Sequence, residues 1–137
     1  MSTAGRPSGR RVVVTGMGVV SPLGVNVDAV WASLISGRSG IDRISLFDAS
    51  DFDVRIAGEA REFDPLDFLP AREARRMDRF SQFAMAGLEQ ALAQSGQPVD
   101  ERNAYRVGAY IGSGVGGIET YTRELETLAE KGPRRVN

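Results

Sequence analysis

The chain has 137 residues, 42% of them hydrophobic and 26% charged, with a formal net charge of −1 and neither cysteine nor histidine. A near-neutral balance gives no bulk attraction to nucleic acid or to an anionic membrane, so an electrostatic partner must be met by a local patch. The missing thiols and imidazoles exclude disulfides, thiolate metal sites, a thiol nucleophile and the usual general base from these residues.

In chain order, residues 1–10 are polar and small, carry Arg6 and Arg10, and lack the apolar core of a signal segment, which predicts a flexible leader. No apolar run is long enough to span a membrane, and a cytoplasmic protein with no membrane or nucleic-acid partner is expected. Val12, Val13 and Val14 form a continuous β-branched run that predicts a strand covered on both faces, as in a parallel sheet. Gly16 and Gly18 break that run, Pro22 stiffens the loop, and Gly24 releases it. Val27, Val30, Trp31, Leu34 and Ile35 recur at helical spacing from near Asn26, with Gly37 as the stop. Residues 39–64 have no sustained period and predict a long irregular excursion, one short strand over 54–57, and anchoring by Phe47, Phe52 and Phe63.

A short helix is expected over 70–76. The clearest helix follows, with Asp78 as its cap, a stripe from Phe80 through Phe83, Leu88 and Leu92, and Gly96 at its end. The small residues Ala84, Ala86 and Gly87 predict close packing there against a neighbouring element. A polar turn leads to a second strand over 105–112, a glycine loop over 112–117, and a helix from Ile118 to about Glu130 that stops at Gly132-Pro133. Two parallel strands do not make a stable sheet, so the pattern implies an α/β domain that is incomplete in this chain.

Three groups of residues could carry function. Gly112, Gly114 and Gly117 fit G-x-G-x-x-G between a strand and a helix, the context of a phosphate cradle. The acidic residue that the dinucleotide motif places about 20 residues later, at the end of a second strand, is not found. A tight strand-to-helix crossing explains the glycines at least as well. Arg72, Arg75, Arg76 and Arg79 lie within two helical turns, and Arg134 with Arg135 forms a second basic pair; each could be a solvated face or a docking patch. The carboxylates Asp51, Asp53, Glu59, Glu119, Glu124, Glu126 and Glu130 read as charged surface, with no partners that suggest acid–base work or a metal cage.

The order V-V-V-T-G-M-G-V-V-S-P-L-G (12–24), G-R-S-G-I (37–41), F-D-A-S-D-F (47–52), M-D-R-F-S-Q-F-A (77–84) and Y-R-V-G-A-Y-I-G-S-G-V-G-G (105–117) resembles the β-ketoacyl-acyl carrier protein synthases. The likeness is greatest to the chain-elongating type II synthase. It implies that residues 11–137 are the N-terminal part of a thiolase-like layered α-β-α-β-α fold, class α/β, with a mostly parallel sheet incomplete in this chain. It also implies elongation of acyl chains by decarboxylative condensation of malonyl-acyl carrier protein with an acyl thioester, in fatty-acid or polyketide synthesis. In the family a cysteine and two histidines do that chemistry; this chain has no catalytic residue of that set and is expected to be inactive alone. The expected partners are acyl carrier protein, the remainder of the synthase and a second copy in a homodimer, with no cofactor or metal. Arg72, Arg75, Arg76, Arg134 and Arg135 fall on the family's carrier-protein-binding segments. Gly112, Gly114 and Val115 fall on a loop bordering its acyl pocket, where Val115 would act in gating. A small nucleotide-binding α/β protein using the 112–117 loop, and a non-catalytic carrier-protein-binding module, are the alternative readings.

Overall fold

The computed structural model describes residues 11–136; the leader expected over 1–10 lies outside them. Helix α1 (Val27–Ile35) starts where Asn26 Oδ1 accepts the Ala29 N–H at 2.8 Å, and Gly37 follows it at a φ of 69°. This is the cap-and-glycine bracket of an amphipathic helix. The irregular excursion contains a small antiparallel hairpin, β1 (Ile41–Arg43) with β2 (Ile56–Gly58), in register Ile41–Gly58, Asp42–Ala57 and Arg43–Ile56. The expected strand over 54–57 is therefore β2, shifted by one or two residues. Its partner β1 has no alternating pattern and was not anticipated.

A 3₁₀ turn (Pro65–Asp67) and the four-residue helix α2 (Ala71–Ala74) lead into α3 (Arg79–Ser95), which ends at Gly96 in the left-handed region. After a second 3₁₀ turn (Ala104–Arg106) the chain reaches α4 (Ile118–Lys131) and a last 3₁₀ turn (Pro133–Arg135).

The opening segment lies along α3, and glycine allows it. A Cβ on Gly16 would run into the Ala91 carbonyl oxygen, and one on Gly18 into that of Gly87. Two glutamines of α3 fasten the segment. Gln94 Oε1 accepts the Met17 N–H at 2.6 Å; Gln90 accepts from Val19 N–H and donates to the Val19 and Val25 carbonyls. The small residues of α3 thus do pack against a neighbour, and Ala86 is fully buried. A second nucleus surrounds Phe63, which stacks on Phe68, meets Phe83 edge-on at 4.9 Å, and is covered by the Arg79 guanidinium at 4.7 Å. Such aromatic and cation–π contacts account for the burial of Phe63, and Leu69 nearby in sequence is buried as well.

Two expectations are corrected. Neither 12–14 nor 105–112 is paired as a strand; 105–106 belong to a 3₁₀ turn, and the sheet among the described residues is antiparallel. Val12 is 94% exposed, and Tyr110 and Ile111 are also on the surface. An unpaired strand has no ladder to hold it, and no third strand lies beside either run among the described residues. Asp78 stands at the N-cap of α3 without a side-chain cap hydrogen bond; its carboxylate reaches α4 instead.

Candidate functional site

Arg72 lies on α2, Arg75 is its C-cap, and Arg76 follows. All three are exposed, and none forms an ion pair among the described residues. Their position is set from below. Ala74 is buried, and Gln82 of α3 donates through Nε2 to the Ala74 carbonyl at 2.9 Å and the Met77 carbonyl at 3.2 Å, tying off the end of α2. Arg75 Nε additionally donates to the Ala71 carbonyl at 3.2 Å. Arg79 leaves the cluster: it donates to the Ala60 and Phe63 carbonyls and covers the aromatic nucleus, so its guanidinium serves packing.

Arg75 and Arg76 border a cleft of about 550 Å³ whose opposite wall is the first half of α4, with Glu119, Thr120 and Arg123. Arg134 and Arg135 sit exposed in the 3₁₀ turn beyond the other end of α4. The 14 residues of α4 measure about 21 Å at 1.5 Å per residue, so that helix spaces the two basic groups. The structure holds them apart, one at each end of α4.

The 112–117 loop is lightly held. Ser113 Oγ accepts the Gly116 N–H at 2.9 Å within it, and Gly116 has a φ of 75°. Gly112 and Gly114 face open space, whereas a Cβ on Gly117 would run into Asp78 Oδ2. Val115, 74% exposed, borders a shallow apolar recess with Ile118 and Tyr121. Of the three expected pocket residues, the structure brings Val115 against apolar neighbours and leaves Gly112 and Gly114 in the open.

Asp78 also decides against a phosphate cradle. Its Oδ1 accepts a hydrogen bond from Thr120 Oγ1 in the first turn of α4, and Oδ2 lies against Gly117. A carboxylate already fills the positive end of that helix, where a phosphate would have to sit and would be repelled. The nucleotide-binding reading loses its main support there. Sequence reasoning missed Asp78 in this role, as it missed Gln82 and Thr120, because each acts across a gap between elements rather than within one.

The β-ketoacyl synthase N-terminal domain family matches residues 9–137. The 3-oxoacyl-[acyl-carrier-protein] synthase 2 of Vibrio harveyi is 47% identical over 130 residues, covering 95% of this chain and 31% of that protein. The same enzyme of Coxiella burnetii is 47% identical over 128 residues, covering 93% of this chain and 31% of its own. Among solved structures, a β-ketoacyl synthase from Burkholderia phymatum superposes with a TM-score of 0.73 at 34% identity, over 93% of this chain and 31% of that one. A type II polyketide ketosynthase solved in complex with its acyl-carrier protein gives 0.68 at 26% identity, over 91% of this chain and 32% of that one. The chain thus spans about 31% of the length of the curated relatives it matches, and its α/β fold is that of the corresponding part of the thiolase-like ketosynthases. The chain belongs to the β-ketoacyl synthase family, matching its N-terminal domain.

Proposed function

We propose that residues 11–137 form the N-terminal part of a condensing enzyme that elongates acyl chains. A malonyl thioester on acyl carrier protein loses carbon dioxide, its carbanion attacks an acyl thioester carbonyl, and the thiol that carried the acyl group departs. The carrying observation is the pair of exposed arginine groups without ion-pair partners among the described residues, spaced by α4, on a chain of the ketosynthase family. Arginine offers forked donors suited to the carboxylates of an acidic carrier. The relative solved with an acyl-carrier protein supports that class of partner. Gly112, Gly114 and Val115 are read as part of one wall of the acyl pocket, and the working enzyme as a homodimer.

The chain itself has no cysteine or histidine. Thioester exchange of this kind calls for a thiolate nucleophile, so these residues alone are expected neither to condense nor to become acylated. Incubation with radiolabelled acyl-acyl carrier protein checks this; a stable adduct at Ser21 or Ser113 would show that the chain holds its own nucleophile.

The patch is tested in the synthase assembled with the rest of the family's length. Arg75→Glu with Arg76→Glu should lower kcat/KM for carrier-bound substrate by about tenfold or more and spare a small free thioester, because encounter and not the pocket is changed. Each contact alone contributes about 0–1 kcal/mol at an exposed site, so single variants should be mild. Added salt should narrow the gap between wild type and variant. Equal loss for both substrates would make the arginines structural, and no loss for either would make them solvated surface.

A further inference from the structure

Asp78 lies two residues after Arg76 and at the start of α3, yet both its carboxylate oxygens face α4, 42 residues away in sequence. Oδ1 accepts from Thr120 Oγ1, and Oδ2 occupies the space that a side chain on Gly117 would need. Among the described residues, the loop upstream of this contact has little else to hold it. A Cβ on Gly108, Gly112 or Gly114 would meet nothing within 4 Å, and Val107, Tyr110, Ile111 and Val115 are exposed. The hydrogen bond from Gly116 N–H to Ser113 Oγ is internal and fixes the loop's shape, not its place. Arg123 Nη2 points to the same Thr120 hydroxyl at 3.3 Å, which further restrains that side chain.

We infer that Asp78 is a positioning residue for acyl-chain selection: by latching Gly117 and Thr120, it fixes where Val115 stands relative to the bound chain. The inference rests on the reading of Gly112, Gly114 and Val115 as a pocket wall. A charged acceptor bound to a hydroxyl is a strong tether at low cost in side-chain freedom. An apolar pocket discriminates substrates by small displacements of its wall, so the latch acts on which chains are accepted rather than on bond making.

The test uses the assembled synthase, with Asp78→Ala and Thr120→Val each removing one side of the latch and Thr120→Ser restoring it. Glu126→Ala, an exposed carboxylate on the same helix, is the control. Two readouts are taken: amide exchange at residues 113–120, and kcat/KM across acyl thioesters of graded length. Both latch variants should accelerate exchange there and change the long-to-short preference by about tenfold, the scale of one methylene in an apolar pocket. Thr120→Ser and the control should match wild type. Faster exchange with an unchanged length profile, or a uniform fall at every length, overturns the inference. If Asp78→Ala does not fold, Thr120→Val decides alone, since it keeps the side chain's shape. A wild-type synthase that condenses no thioester refutes the condensing-enzyme reading, while the exchange measurement still reports whether the latch holds the loop.

Discussion

The two glycine-punctuated segments look alike in sequence and are built on opposite principles. Gly16 and Gly18 are pressed onto α3, where any side chain would strike the Ala91 and Gly87 carbonyls. Gly112 and Gly114 stand in open space, and the loop that holds them is fastened at one end by Asp78. In the first segment the missing Cβ permits contact between backbones; in the second it permits only conformational freedom. A glycine count therefore says little about packing until the neighbouring element is known.

The most direct way to break this contrast is to add a methyl group to each segment. Gly18→Ala should destabilise the fold by about 1–3 kcal/mol, the usual result of overpacking. Gly114→Ala should stay within about 0.5 kcal/mol of wild type, as for an exposed site. Urea midpoints of the two variants provide the comparison, and equal shifts would erase the distinction.

A smaller effect tests the fastening rather than the spacing. Gln90→Leu keeps most of the volume on α3 but leaves the Val19 N–H and the Val19 and Val25 carbonyls without their amide partner. A loss of about 1 kcal/mol is expected, with faster amide exchange at Val19. An unchanged midpoint and an unchanged exchange rate would mean that the glycine contacts suffice.

The smallest effect concerns the hairpin beside the first segment. The Glu59 carboxyl accepts hydrogen bonds from the Ser45 hydroxyl, the Ser45 and Leu46 N–H groups and Arg61 Nε. With the Ser45 hydroxyl as the largest cause, its pKa falls from an ordinary 4.5 to about 2. A depressed folded-state pKa means that the stabilisation is complete above the unfolded value near 4.5 and is lost as pH falls toward 2. Amide exchange in β1 and β2 should accordingly speed up, beyond its intrinsic pH dependence, between about pH 5 and about pH 3. Glu59→Gln should be flat over that window, and a wild-type profile as flat would remove Glu59 from the hairpin's support.

The helices were legible because their signals are local: the apolar spacing after Asn26, the Phe80–Leu92 stripe and Gly96 lie within or beside the elements they define. The α/β class and the family were legible through ordered motifs along the whole chain. The pairing of strands was not, because a run such as 12–14 predicts burial only if neighbours are present, and pairing is set by what lies alongside. β1 escaped notice since Ile41, Asp42 and Arg43 show neither alternation nor apolar continuity. Of the arginines read from sequence, Arg79 was misgrouped: helical spacing places it with Arg75 and Arg76, but only the fold shows Phe63 and Phe83 beneath its guanidinium.

Helix α2 is one turn long, far too short to persist by itself. Gln82 and the burial of Ala74 keep it formed, so the backbone bearing Arg72, Arg75 and Arg76 is fixed by contacts within this chain. Docking of the proposed acidic partner there would immobilise side chains, at about 0.5–1.5 kcal/mol each, and would not have to order the backbone as well. On the proposed docking reading, a fixed backbone beneath three arginines would compare partners by the spacing of their carboxylates. Two acidic proteins of equal net charge but different carboxylate spacing would then bind this surface unequally, and the discrimination would originate in a glutamine that touches neither of them.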